Sequence, residues 1–263
     1  VNSDGGGLPL SGAGPLGGGA IAVDSLTVGY RKGRPVLQDV SFRVDPGEIA
    51  AIVGPNGSGK TTLFRVLMGF LTPWEGSVRL RGVAPAVHLR REGLAFLPDS
   101  IAVPPGWSGL ALLREGVRRS RMPRGARAAE LARAVKRTGL SVEALAGPAD
   151  DLSKGMSRRV VAAMVLTGAP SPVLLDEPLT GLDAPSRVAL RQEILECARG
   201  GATVLMASHD LDEVQRMATR VVLLRNGVVE EVLEGRRKVM DAGLERMVVG
   251  DMARPPAAPG ELL

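Results

Sequence analysis

The chain has 263 residues, 44% of them hydrophobic, with 33 Lys and Arg against 28 Asp and Glu for a net charge of +5. That length allows one large or two small domains with a sizeable core, and no apolar run approaches the ~20 residues of a membrane-spanning helix, so a soluble protein is expected. The basic residues come as scattered pairs such as Arg90-Arg91, Arg118-Arg119 and Arg158-Arg159, and the aromatic residues are only four Phe, two Trp and one Tyr, which argues against a nucleic-acid partner.

Residues 1–20, clustered in Gly and Pro without a basic start before an apolar run, read as a flexible leader and not as a secretory signal. Strands are predicted over 21–28 and 35–44, with Arg31, Lys32, Gly33 and Arg34 as the turn between them. Tyr30 stands at the end of the first strand, before a polar turn, where core packing is least expected. The apolar, β-branched run 48–53 is a buried strand, and Leu63, Val66, Leu67 and Phe70 give 61–70 an inner helical face. A strand over 76–83 follows, then a polar, Arg-rich connection over 84–95, then the buried-strand signal Leu94-Ala95-Phe96-Leu97.

After Pro98, Asp99 and a Pro/Gly-rich loop through Trp107 and Ser108, residues 110–145 are helical in period. Leu131, Val135 and Leu140 form the inner face, and Met122-Pro123-Arg124-Gly125 interrupts the run. Strand and helix then alternate: strand 173–175, helix 184–198, strand 203–207, helix 211–218, strand 221–224. Such alternation builds a parallel sheet covered by helices. Asn226-Gly227 is a hairpin turn before a last strand over 228–232, and 253–263 reads as a frayed tail. The single Cys197 excludes a disulfide framework.

Between the strand 48–53 and the helix after it lies Gly54-Pro55-Asn56-Gly57-Ser58-Gly59-Lys60-Thr61-Thr62, which fits the phosphate-binding pattern G-x-x-x-x-G-K-[ST] in the context that the pattern requires. Glycines let the backbone N–H groups turn inward around phosphates, and the helix aims its positive end at the same charge. Lys60 then reaches the β- and γ-phosphates, and the Thr61 hydroxyl holds Mg²⁺. The apolar strand 173–175 ends in Asp176-Glu177-Pro178. Beside the loop, Asp176 holds the Mg²⁺ shell and Glu177 activates the attacking water. Three further stretches bear on a site: Leu152-Ser153-Lys154-Gly155-Met156 before a helix, Thr180-Gly181-Leu182-Asp183 after the carboxylates, and Ser208-His209-Asp210 at the end of the next strand. A strand-end His is more often structural than catalytic, but this strand is expected beside that of Asp176.

These motifs, in this order, resemble the nucleotide-binding subunit of an ABC transporter over residues 21–232. The Leu-Ser-Lys-Gly-Met form looks most like the ATPases of ABC-2 type exporters. The resemblance implies an α/β fold: a RecA-like P-loop core with an N-terminal antiparallel β subdomain and a helical subdomain inserted at about 98–170, the domain spanning 21–235 and a tail 236–263. It implies that Tyr30 stacks on adenine, that Gly54, Asn56, Gly57, Ser58, Gly59, Lys60, Thr61 and Thr62 hold the phosphates, and that Thr61, Asp176 and position 99 serve Mg²⁺. It further implies that Glu177 is the catalytic base, that His209 is its switch, and that Ser153, Gly155 and Met156 bind the ATP of a second ATPase subunit, with Asp183 at the same interface. At position 99 the family usually has Gln, whereas here Asp stands. ATP and Mg²⁺ are thus the expected ligands, and a transmembrane permease and a second ABC subunit the expected partners, with the chain held at the cytoplasmic face of the membrane. The alternatives are a soluble ABC-type ATPase acting on a partner outside the membrane and a regulatory module without turnover.

Overall fold

The computed structural model describes residues 19–120, 122–168 and 171–244. Most of the expected leader and all of the expected frayed tail lie outside the described residues. Two sheets organise the chain. Strands β1 (Ile21–Val28), β2 (Leu37–Val44) and β4 (Glu75–Leu80) form an antiparallel sheet in the order β2-β1-β4. The second sheet contains β3 (Ile49–Val53), β5 (Ala95–Leu97), β6 (Val173–Asp176), β7 (Val204–Ala207), β8 (Arg220–Arg225) and β9 (Val228–Glu234) in the order β5-β6-β7-β3-β8-β9. All its pairings are parallel except that of β8 with β9. Asn226 and Gly227 join those two strands with φ of 49° and 80°, the doubly left-handed backbone of the turn that their sequence predicts.

β3 is buried at every residue because it is paired on both sides and covered on both faces. Its side chains alternate: Ala50 and Ile52 join the core shared with the antiparallel sheet and helix α1 (Lys60–Leu67), while Ala51 and Val53 join the core beneath the later helices. In the parallel register Ile52 and Asp176 both lie opposite Ala207. The ends of β3, β6 and β7 therefore share one edge, and the segments that follow them, starting at Gly54, Glu177 and Ser208, emerge there together.

Helices α3 (Gly109–Arg119), α4 (Arg127–Thr138) and α5 (Val142–Ala146) pack around Leu113, Ala134 and Leu145, with Leu131, Val135 and Leu140 at the margin of that core. Helix α6 (Lys154–Leu166) is shared: Val160 and Ala163 face this helical core, and Val161, Ala162 and Leu166 face the sheet. Helices α7 (Ala184–Arg199) and α8 (Leu211–Met217) complete the layer on that side, and α9 (Arg236–Asp241) follows β9.

The structure corrects the sequence reading in two places. The stretch 84–95 is not all connection, because it carries a further helix, α2 (Pro85–Arg91), with Pro at its start and His88 buried. Helix α1 stops at Leu67, since Gly69 takes a left-handed φ of 74°. Phe70, expected on its inner face, is 73% exposed.

Candidate functional site

The loop between β3 and α1 is shaped by contacts that only glycine permits. A Cβ on Gly54 would lie 2.0 Å from the Leu224 carbonyl oxygen, and one on Gly59, whose φ is 109°, would lie 2.4 Å from Leu37 Cδ2. Gly59 is the N-cap of α1 and no side chain caps it, so the first N–H groups of the helix are not committed to a side chain of their own cap. Ser58 Oγ is buried without a hydrogen-bond partner, while its carbonyl accepts from Gly227 N–H at 3.1 Å. Lys60 Nζ turns back to donate to Gly54 O at 2.7 Å and Pro55 O at 3.0 Å. Burial lowers its pKa, and the nearby Glu177 and Asp176 raise it in part. Asn56, Gly57 and Thr61 are exposed around the lysine. Tyr30 stands beside this loop: its hydroxyl is 3.2 Å from Thr62 Oγ1 and accepts from Arg65 Nη1 at 2.7 Å, with the Arg65 guanidinium carbon 5.5 Å from the ring centre.

Across the sheet edge stand the carboxylates. Asp176 ends β6, and its pKa is raised by burial first and then by the negative charges of Asp99 and Glu177, against the lowering effect of Lys60 and Arg158. Glu177 takes a φ of 49°. Its N–H donates to Ala207 O at 2.9 Å, its Oε1 lies 2.8 Å from His209 Nδ1, and Thr180 Oγ1 donates to its Oε2 at 3.3 Å. The pairing of β6 with β7 thus brings together Glu177 and His209, which the sequence separates by a whole strand-helix unit.

Ser153 is the N-cap of α6, its Oγ accepting from Met156 N–H at 3.3 Å. Gly155 lies against the next loop, where a Cβ would meet Gly181 O at 3.5 Å. Asp183 caps α7 by accepting from Ser186 N–H at 2.9 Å. These hydrogen bonds are local and do not bring Ser153 or Asp183 to the phosphate loop.

Two arginines were missed by the sequence reading. Arg65 stands in the last turn of α1 and reveals itself only through Tyr30. Arg158 is 7% exposed and donates to the main-chain oxygens of Glu177 and Asp99, with Asp99 Oδ1 at 3.4 Å. The available signal was the apolar run Val160 to Leu166 that follows it, which marks a helix buried on more than one face, where a charge must find a partner.

A separate cleft of about 830 Å³ opens away from this site. It is bounded by Phe96, Val103, Pro104, Trp107, Leu112 and Met164, with Glu92, Glu115 and Arg119 among its charged lining. Trp107 is 38% exposed at the cleft, Leu113 is fully buried in the helical core with Leu110 packed against it, and Leu112, buried in the same core, also lines the cleft.

Among the described residues no group of three or more His, Cys, Asp or Glu could hold a metal ion. One exposed hydroxyl, on Thr61, and one carboxylate, on Asp176, nevertheless fit Mg²⁺, which takes hard oxygen ligands and commonly completes its shell with waters and the phosphates of its substrate.

A phosphate-cradling loop between a buried parallel strand and a helix, faced by strand-end carboxylates, places the chain among the P-loop nucleotide-binding proteins. Residues 37–180 match the family described as ABC transporter, and the chain belongs to that family. It is 34% identical over 211 residues to the putative 2-aminoethylphosphonate import ATP-binding protein PhnT of Salmonella typhimurium, a match covering 79% of this chain and 56% of PhnT. The chain thus spans little more than half the length of that relative. It is 36% identical over 210 residues to the taurine import ATP-binding protein TauB of Chromobacterium violaceum, covering 79% of each. Among solved structures, an ATP-binding subunit of an ABC transporter superposes with a TM-score of 0.76 at 27% identity, covering 82% of this chain and 90% of that one. Both relatives are import proteins by name, so the exporter subclass expected from residues 152–156 finds no support in them.

Proposed function

We propose that this chain binds and hydrolyses ATP with Mg²⁺ and that the cycle drives a separate membrane-embedded permease. The observation that carries the proposal is the convergence of Lys60, Asp176, Glu177 and His209 at one edge of the sheet. Lys60 is positioned to exchange its loop carbonyls for phosphate oxygens, which suit an ammonium as a point charge. Mg²⁺, when bound through Thr61 and Asp176, neutralises phosphate charge. Glu177 accepts a proton from water, and His209 holds the carboxylate in place. Tyr30, half exposed with its hydroxyl anchored by Arg65 and Thr62, offers a ring for the base.

Ser153, Gly155 and Met156 belong in this reading to the ATP held by a second ATPase subunit, with Asp183 beside them at the interface. The unit comprises residues 21–235, with the helical part over about 98–170 and the tail beyond 235. No helix among the described residues is long and apolar enough to cross a membrane. In this reading the chain works at the cytoplasmic face of the membrane through its permease, a role that the names of its relatives, ATP-binding proteins of import systems, support over that of a soluble ATPase with another partner. The names of the relatives favour import and the exporter-like signature favours the reverse, so the proposal concerns the cassette and not the direction of transport.

The permease's docking point in this reading is the cleft at Trp107, an aromatic held on a proline-stiffened loop. Trp107→Ala is expected to leave the basal phosphate release and melting temperature of the isolated chain unchanged. It should lower recovery of the chain with the permease from membranes by about tenfold or more. A large drop in melting temperature with recovery intact would return Trp107 to the helical core and remove it from the docking surface.

A further inference from the structure

We infer that Arg158 is a positioning residue: its guanidinium ties the loop that begins at Asp99 to the peptide of Glu177, so that the placement of that loop sets the placement of the catalytic carboxylate. The inference rests on the reading of Glu177 as the base. Arg158 approaches from α6, and its two terminal nitrogens divide their work, Nη1 donating to Glu177 O and Nη2 to Asp99 O. Both acceptors are main-chain oxygens at the starts of functional segments, one leaving β5 and the other leaving β6.

Such a fork needs a planar group with donors in fixed directions, which arginine has and lysine lacks. The tie does not depend on the type of residue at 99, because its principal acceptor there is the peptide oxygen. The Asp99 carboxylate, 60% exposed and 3.4 Å from Nη2, adds a looser contact.

The far side of the tie is the cleft. From Asp99 the chain continues through Ile101 and Val103, which pack on the sheet core, to Pro104 and Trp107 at the cleft wall. Trp107 O accepts from Ala149 N–H at 2.7 Å, which fixes the end of the loop to the helical part. The near side is a strained residue: Glu177 holds a left-handed φ of 49°, a conformation that persists in a non-glycine residue only when its surroundings over-determine it. Its N–H is held by Ala207 O, and its carbonyl by Arg158 and, at the longer distance of 3.3 Å, by Thr180 N–H. Losing the Arg158 bond leaves the carbonyl only the Thr180 N–H, a donor within the same turn, and so loosens the peptide that carries the base without removing any group that meets the phosphates.

Arg158→Lys tests this in the full chain, since it keeps the buried charge and most of the stem and so preserves folding. Two readouts are taken. In the nucleotide-free protein, hydrogen exchange at residues 100–108 should quicken by about tenfold, the effect of one lost hydrogen bond to a charged donor, with the melting temperature nearly unchanged. In ATP turnover, kcat should fall by about tenfold or more while KM stays within about threefold, because the loop that holds ATP is untouched. Arg158→Gln, which also loses the charge, should lower kcat further. Unchanged exchange over 100–108, or a kcat within about twofold of wild type in the folded Lys variant, would overturn the inference. If Glu177→Gln still turns over ATP, the assignment of the base fails, and the tie to Glu177 then loses its catalytic meaning even where the exchange result stands.

Discussion

The Glu177→Gln protein is expected to bind ATP as the wild type does and to release phosphate ~10²–10⁴-fold more slowly, the usual contribution of a positioned general base. The amide has the shape of the carboxylate and can keep the contacts to His209 Nδ1 at 2.8 Å and Thr180 Oγ1 at 3.3 Å, but it cannot take the proton of the attacking water. Lys60, Thr61 and the glycines are left in place, so affinity survives. Because ATP then persists, two chains should stay paired through it, each supplying Ser153, Gly155 and Met156 to its neighbour's nucleotide. The variant should elute as a dimer with ATP and as a monomer without it. Turnover at the wild-type rate would remove Glu177 from the base role.

Gly54→Ala should be the most damaging single methyl in the phosphate loop. The new Cβ would stand 2.0 Å from Leu224 O and 2.9 Å from Ser58 Oγ. Leu224 belongs to a paired, buried strand that cannot step aside, so the loop must move off the sheet. Overpacking of this kind costs about 1–3 kcal/mol. ATP affinity should therefore fall by about tenfold to a hundredfold, with a lowered melting temperature. Gly57→Ala is the contrast: nothing lies within 4 Å of its Cβ, and only its φ of 82° opposes the change. It should be the milder of the two in a parallel ATP titration and melting curve, and equal effects would mean that the close approach to Leu224 does not shape the loop.

What could be read from the sequence follows from how local each signal is. The phosphate loop is contiguous, and Lys60, Thr61 and the glycines that frame them need no knowledge of the rest of the chain. The apolar runs of β3, β6 and β7 announced buried parallel strands, and Asn226-Gly227 announced its turn through backbone preference alone. From those strands it followed that His209 would stand near Glu177. The helix α2 escaped notice because only His88 in it is buried, so seven residues offered no periodic face. Phe70 was misplaced because Gly69 ends the first helix by its backbone and not by any change in polarity. Leu113 and Leu112 differ by about 100° around α3; both are buried in the helical core and only Leu112 also lines the cleft, a distinction that no pattern of leucines could settle. Arg158 is legible only in three dimensions, because its partners Asp99 and Glu177 lie 59 and 19 residues away.

The central claim, that this chain is a magnesium-dependent ATPase, is tested most directly by following phosphate release from ATP by the purified wild-type chain with Mg²⁺ and then with the metal chelated. Release should be steady with Mg²⁺ and stop on chelation. Absence of both phosphate release and ATP binding in the folded, Mg²⁺-supplied chain would contradict the claim.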